Sequence, residues 1–87
     1  MKSHEQEKYF AELKAKFPHW KPEFISGWVH GAVDETQRNQ PESGYIRRAK
    51  KKDAYANGYL FAFALHRGVD AENEPWFEFV PRIEVLK

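Results

Sequence analysis

The chain contains no cysteine. That absence excludes a disulfide framework, a thiolate metal site and a cysteine nucleophile. Small secreted domains usually need such staples, so a reducing compartment, the cytoplasm, is the expected location. Long hydrophobic runs are also missing. The longest mostly apolar stretch, Ala54–Leu65, is about half of the roughly 20 residues that a membrane span needs, and a buried helix is expected there. Met1–Lys16 is charged and amphipathic, where a secretory leader would be apolar. Nor is there an excess of one charge sign. Fourteen basic residues face thirteen acidic ones, for a net charge of +1. Dedicated nucleic-acid binders carry a clear basic excess.

The parts of an active site are equally sparse. No phosphate-cradling glycine loop and no nucleophile elbow occurs. Ser3, Ser26 and Ser43 have structural uses as cap, helix residue and turn residue. His4, His19, His30 and His66 offer no pair at metal-binding spacing on one helix face. His30 and His66 do fall on neighbouring expected helices. The expectation is a non-enzymatic protein with no metal and no cofactor. A small enzyme with a histidine–carboxylate site is the last of three functional alternatives.

What the chain has is aromatic side chains. Seven Phe, four Tyr and three Trp stand in 87 residues. Each ring buries a large area, which lets one short domain offset its ordering entropy. Residues 1–87 are therefore expected to form a single small helical domain.

Ser3 and Gln6 have capping-box spacing, and Tyr9, Phe10, Leu13 and Phe17 recur at helical spacing. A first helix is expected from about Ser3 to Phe17, stopped by Pro18. Lys21-Pro22-Glu23 looks like a second start, since proline suits the first helical position. Trp20 before it is placed to staple onto Ile25. The stripe Ile25, Trp28, Val29, Ala32 and Val33 carries this helix, which fades through residues 34–40 before Pro41. A third helix begins between Tyr45 and Asp53 and is best defined over Ala54–His66. It is apolar nearly all round, which places it in the middle of the fold. Gly68 suits its C-terminal end. Phe77, Phe79, Ile83 and Val85 then alternate with other residues, so Trp76–Leu86 reads as a strand, interrupted at Pro81. The fold class expected is mainly α: three helices with a C-terminal β-strand or extension over 76–87. It becomes α+β if the strand pairs within the chain or across a dimer.

Three features are candidates for function. Phe24-Ile25-Ser26-Gly27-Trp28 and Tyr55-Ala56-Asn57-Gly58-Tyr59 share the pattern aromatic-x-x-Gly-aromatic. Gly31 and Ala62 follow four positions after each glycine. Either two helices cross at these small-residue strips, or the strips floor a groove walled by Trp28 and Tyr59. The second feature is the basic run Arg47, Arg48, Lys50, Lys51 and Lys52. Positive charge at a helix start opposes the helix dipole. Hence either the third helix starts later, with Asp53 as its N-cap, and the run is a solvated, solubilising face, or the cluster is kept for a partner, an acidic protein surface or a nucleic acid. Tyr45 and Tyr55 flank the run, the arrangement that single-stranded RNA would use for phosphate contacts and stacking. The third is the lone strand, whose backbone groups need a partner. It can pair with a strand near Tyr45–Arg48, with its own copy, or with a partner's sheet edge.

Gly58-Tyr59, Arg67-Gly68 and Pro75-Trp76, with Gly27-Trp28, distantly resemble ribosome modulation factor, a short helical protein that binds ribosomal RNA. The likeness spans about a third of the chain, and its Gly-Trp and Gly-Tyr elements run in the opposite order here. It carries over no functional residue. In general style the chain looks like the small inhibitor proteins of bacteriophages and mobile elements. The leading expectation is a regulatory protein-binding module that occupies a partner's surface, the partner being another protein or a second copy. Its candidate contact residues are Trp28, Tyr59, Trp76, Phe77 and Phe79. The alternative is an RNA- or ribosome-binding regulator using the basic run. No membrane partner is expected.

Overall fold

The computed structural model of the protein describes residues 3–38 and 40–80, apart from the side chains of Ser3 and His4. Four α-helices follow one another: α1 (Ser3–Lys16), α2 (Pro22–Gln37), α3 (Ser43–Lys50) and α4 (Ala54–Arg67). Two short 3-10 helices, Gly68–Asn73 and Phe77–Phe79, complete the described chain. The expected third helix is thus two helices. Lys51 and Lys52 form the corner between them, and Lys52 takes a left-handed φ of 61°.

α2 and α4 form the centre of the fold, and their glycines explain why. A Cβ on Gly27 would overlap the Tyr55 carbonyl, one on Gly31 the Tyr59 carbonyl, and one on Gly58 the Phe24 carbonyl. The two backbones touch where side chains would normally hold helices 8–10 Å apart. The small-residue strips are therefore a helix crossing, and no open groove runs along them. Glycine inside a helix costs roughly 1 kcal/mol, which this close approach offsets.

α4 separates two apolar clusters. On one side lie Leu13, Trp20, Phe24, Ile25, Trp28 and Val29, with Phe61 and Ala62 from α4. On the other lie Ala49, Ala71 and Trp76, with Ala56, Tyr59, Leu60 and Phe63 from α4. This is the central position that its all-round apolar surface demanded.

The strand expected over Trp76–Leu86 is not found in its described part. Phe77–Phe79 is a 3-10 turn, closed by Phe79 N–H to Trp76 O at 3.1 Å and Val80 N–H to Phe77 O at 3.0 Å. Residues 81–87 lie outside the described part. Two local reasons favour the turn. Its backbone groups are satisfied by neighbours in sequence, whereas a strand needs a second strand, and none occurs among the described residues. Trp76 is also almost fully buried, 6.3 Å from Phe63 centroid to centroid, which pins the segment against α4. The proposed pairing stretch Tyr45–Arg48 lies within α3.

Candidate functional site

The basic run sits at the end of a helix, where the sequence had placed it at a beginning. Arg47, Arg48 and Lys50 occupy the last turn of α3. There positive charge meets the negative end of the helix dipole. The next helix starts independently at Asp53, whose carboxylate accepts the Ala56 N–H at 3.0 Å. The same carboxylate takes Arg48 Nε at 3.2 Å and Nη2 at 3.3 Å. The Ala56 amide, and then Arg48, hold the Asp53 carboxyl below its ordinary range. One acid therefore caps α4 and anchors the basic segment to it.

Arg48 is further fixed by rings. Its guanidinium lies 5.2 Å from the Tyr45 ring and 5.4 Å from the Tyr55 ring. Lys50 Nζ sits 5.4 Å from the Phe79 ring. Arg47, Lys50, Lys51 and Lys52 are all exposed, and among the described residues none of the four has an acidic partner. α3 is thus a short basic ridge. One flank carries Arg47, Arg48 and Lys51 beside Tyr45 and Gly44.

The other flank falls into a groove of about 660 Å³. Its apolar lining comes from Trp20, Phe24, Phe79 and Val80. Its polar edge is Lys21, Lys50 and Lys52, with His19, Asn57 and one acid, Glu78. Asn57 Nδ2 donates to the Phe79 carbonyl at 2.9 Å, which clips the end of the described chain to the first turn of α4.

The five aromatic candidates divide. Trp28 is 8% exposed, Tyr59 0% and Trp76 1%, so their rings belong to the two cores. Phe77 and Phe79 are half-buried, and Phe79 alone of the five lines the groove. Trp28 and Tyr59 do not wall a common cleft. Trp28 meets Tyr9, Phe17, Trp20 and Phe61, whereas Tyr59 stacks on Tyr45 at 4.3 Å.

A buried polar network was not anticipated. Asp34 is 6% exposed and accepts the Tyr59 hydroxyl at 2.6 Å. The Tyr59 oxygen in turn accepts the Glu42 N–H at 3.3 Å. Burial first, and then the bond to Asp34, push the Tyr59 phenol far above its ordinary range. His30 Nδ1 shares a hydrogen bond with the Tyr55 hydroxyl at 2.9 Å, and its Nε2 lies 3.6 Å from Asp34 Oδ2. Arg38 Nε stands 3.6 Å from the same carboxylate oxygen. The network ties α2, α4 and the entry to α3 together. The His30–Asp34–Arg38 spacing of four residues was its only local signal. His66 lies apart from it, 3.8 Å from Glu35.

Among the described residues no group of three or more His, Cys, Asp or Glu could hold a metal ion, and no helix is long and apolar enough to cross a membrane. The class defined by fold and surface is a small four-helix domain with a basic ridge beside a lysine-edged apolar groove. Comparison with known proteins finds no matching family, curated protein or solved structure.

Proposed function

We propose that this chain is a non-enzymatic, regulatory protein-interaction module that occupies an acidic surface of a partner, in the manner of small phage or mobile-element inhibitors. The observation that carries the reading is the basic ridge of α3 and the corner after it. Arg47 and Lys50 on the last turn of α3, with Lys51 and Lys52 at the corner, are four exposed cations without acidic partners among the described residues, and Arg48 beside them is tied to Asp53, the cap of α4. The backbone beneath them is helical or capped, so docking has mainly their side chains to order. Complementary charge then steers the encounter and selects the partner.

An RNA- or ribosome-binding regulator would use the same cations as phosphate contacts. Base stacking would need free ring faces. Tyr45 stacks on Tyr59, and Arg48 lies over both Tyr45 and Tyr55, which favours the protein reading.

The test is affinity capture from the source cell with the native chain and with Arg47→Glu/Lys51→Glu. Circular dichroism first establishes that the variant is folded. A partner retained after nuclease treatment and lost with the variant supports the module. A captured set unchanged by charge reversal refutes it. Capture that nuclease abolishes transfers the ridge to RNA.

A further inference from the structure

We propose that the groove beside α3 receives the opposite end of a second copy of this chain, so that copies associate head to tail. The groove lies at the N-terminal end of α4, where Ala54 and Asn57 line it. At the other end of α4, Leu65 is 47% exposed and Val69 78%, the two large exposed hydrophobics of the described chain. They stand four residues apart in sequence, where α4 passes into the 3-10 helix Gly68–Asn73. Gly68, with a φ of 62°, makes that passage. Asp70 and Glu72 follow on the same short helix, exposed and without ionic partners among the described residues.

The two ends complement each other. An apolar floor edged by Lys21, Lys50 and Lys52 would face the exposed pair Leu65 and Val69, with Asp70 and Glu72 next on the same 3-10 helix. Leu65 lies eleven residues beyond Ala54 along α4, a distance of about 16 Å at about 1.5 Å per residue. One copy can therefore use both ends at once. Such a contact joins unlike surfaces, so it propagates into a chain or ring and does not close as a two-fold dimer. It goes beyond the ridge reading and shares with it only Lys50 and Lys52. A monomeric protein would leave that reading standing.

The experiment is sedimentation equilibrium of three proteins: the native chain, a groove variant (Lys50→Glu/Lys52→Glu) and a knob variant (Val69→Lys/Asp70→Lys). All four positions are exposed, and circular dichroism verifies folding. At low salt the native weight-average mass should rise at least twofold as the concentration approaches about 1 mM, the range in which small contacts are half formed. Added salt should reverse the rise. Each variant alone should stay monomeric. Their equimolar mixture should associate again, because the intact groove of one meets the intact knob of the other. A monomeric native chain, association that survives either variant, or a mixture that stays monomeric would overturn the proposal. So would binding of an acidic peptide in the groove by a chain that never self-associates.

Discussion

Replacing Gly58 by alanine should destabilise the protein, although alanine is the better helix former. The added Cβ would overlap the Phe24 carbonyl oxygen and lie 2.9 Å from its carbon and 3.1 Å from Trp28 N. These are backbone atoms, so no change of rotamer relieves the clash. α2 and α4 would have to part by about 1 Å to restore ordinary contact distances, and a gap of that size forfeits up to half of each dispersion well. The loss would fall on Ile25, Tyr59 and Ala62, which are now fully buried. Overpacking costs typically 1–3 kcal/mol, with more where backbone must move, while the gain in helix propensity is about 1 kcal/mol. The expected net loss is about 2 kcal/mol, or about 10 °C in Tm for a domain of this size. Gly44 is the control. It also lies in a helix, and nothing stands within 4 Å of its would-be Cβ. Gly44→Ala should therefore be neutral or stabilising by up to about 1 kcal/mol. Thermal and urea unfolding followed by circular dichroism would measure both. A Gly58→Ala protein as stable as the native one would refute the helix crossing.

Asp53→Ala should cost about 1 kcal/mol in urea unfolding, through the lost α4 cap. Because the folded carboxyl titrates below its unfolded range, that contribution is complete above about pH 4 and disappears as pH falls through the lowered folded value. Native and variant stabilities should accordingly converge in acid, and a gap independent of pH would count against the cap. Lys52→Gly should raise stability by about 0.5–1 kcal/mol in the same assay by relieving the left-handed backbone, and a loss would show that the Lys52 side chain matters more. Tyr59→Phe should cost roughly 1.5–3 kcal/mol, since it removes a donor from buried Asp34. With its folded pKa raised, Tyr59 adds stability that is whole below about pH 10 and is lost above it as the unfolded phenol ionises. The variant's stability should consequently fall less steeply in alkali than the native protein's, and equal slopes would refute the buried bond.

Much of the helical core was legible because it rests on local signals. Pro22 starts α2, Gly68 follows α4, and the apolar stripes repeat at helical spacing. The break between α3 and α4 was legible only as an alternative. Its signals were a dipole-opposing basic run and an acid at Asp53, and the bond from the Ala56 amide to that acid is what starts the new helix. The segment after Trp76 misled for a physical reason. Alternation of Phe77, Glu78 and Phe79 fits a strand, but so short a stretch fits a 3-10 turn as well. Periodicity could not choose between them, because the choice rests on Trp76 entering the core beside Phe63 and on Asn57 bonding the Phe79 carbonyl.

The surface shows the same division between local and long-range information. Charge is a property of composition, so Arg47–Lys52 stood out at once. Whether an aromatic side chain faces a partner or the core depends on what packs over it, and three of the five aromatic candidates are covered by helices remote in sequence. The groove is the extreme case. Its walls come from residues 19–24, 49–57 and 78–80, with no pattern linking the three. They meet because the glycine crossing sets α2 against α4 and the Asp53 corner turns α3 back beside the α4 N-terminus. The stability and docking predictions are therefore coupled. A substitution that parts α2 from α4, such as Gly27→Ala, should also displace Phe24 from the groove floor. It should weaken head-to-tail association without touching a groove residue, whereas Gly44→Ala should leave association intact.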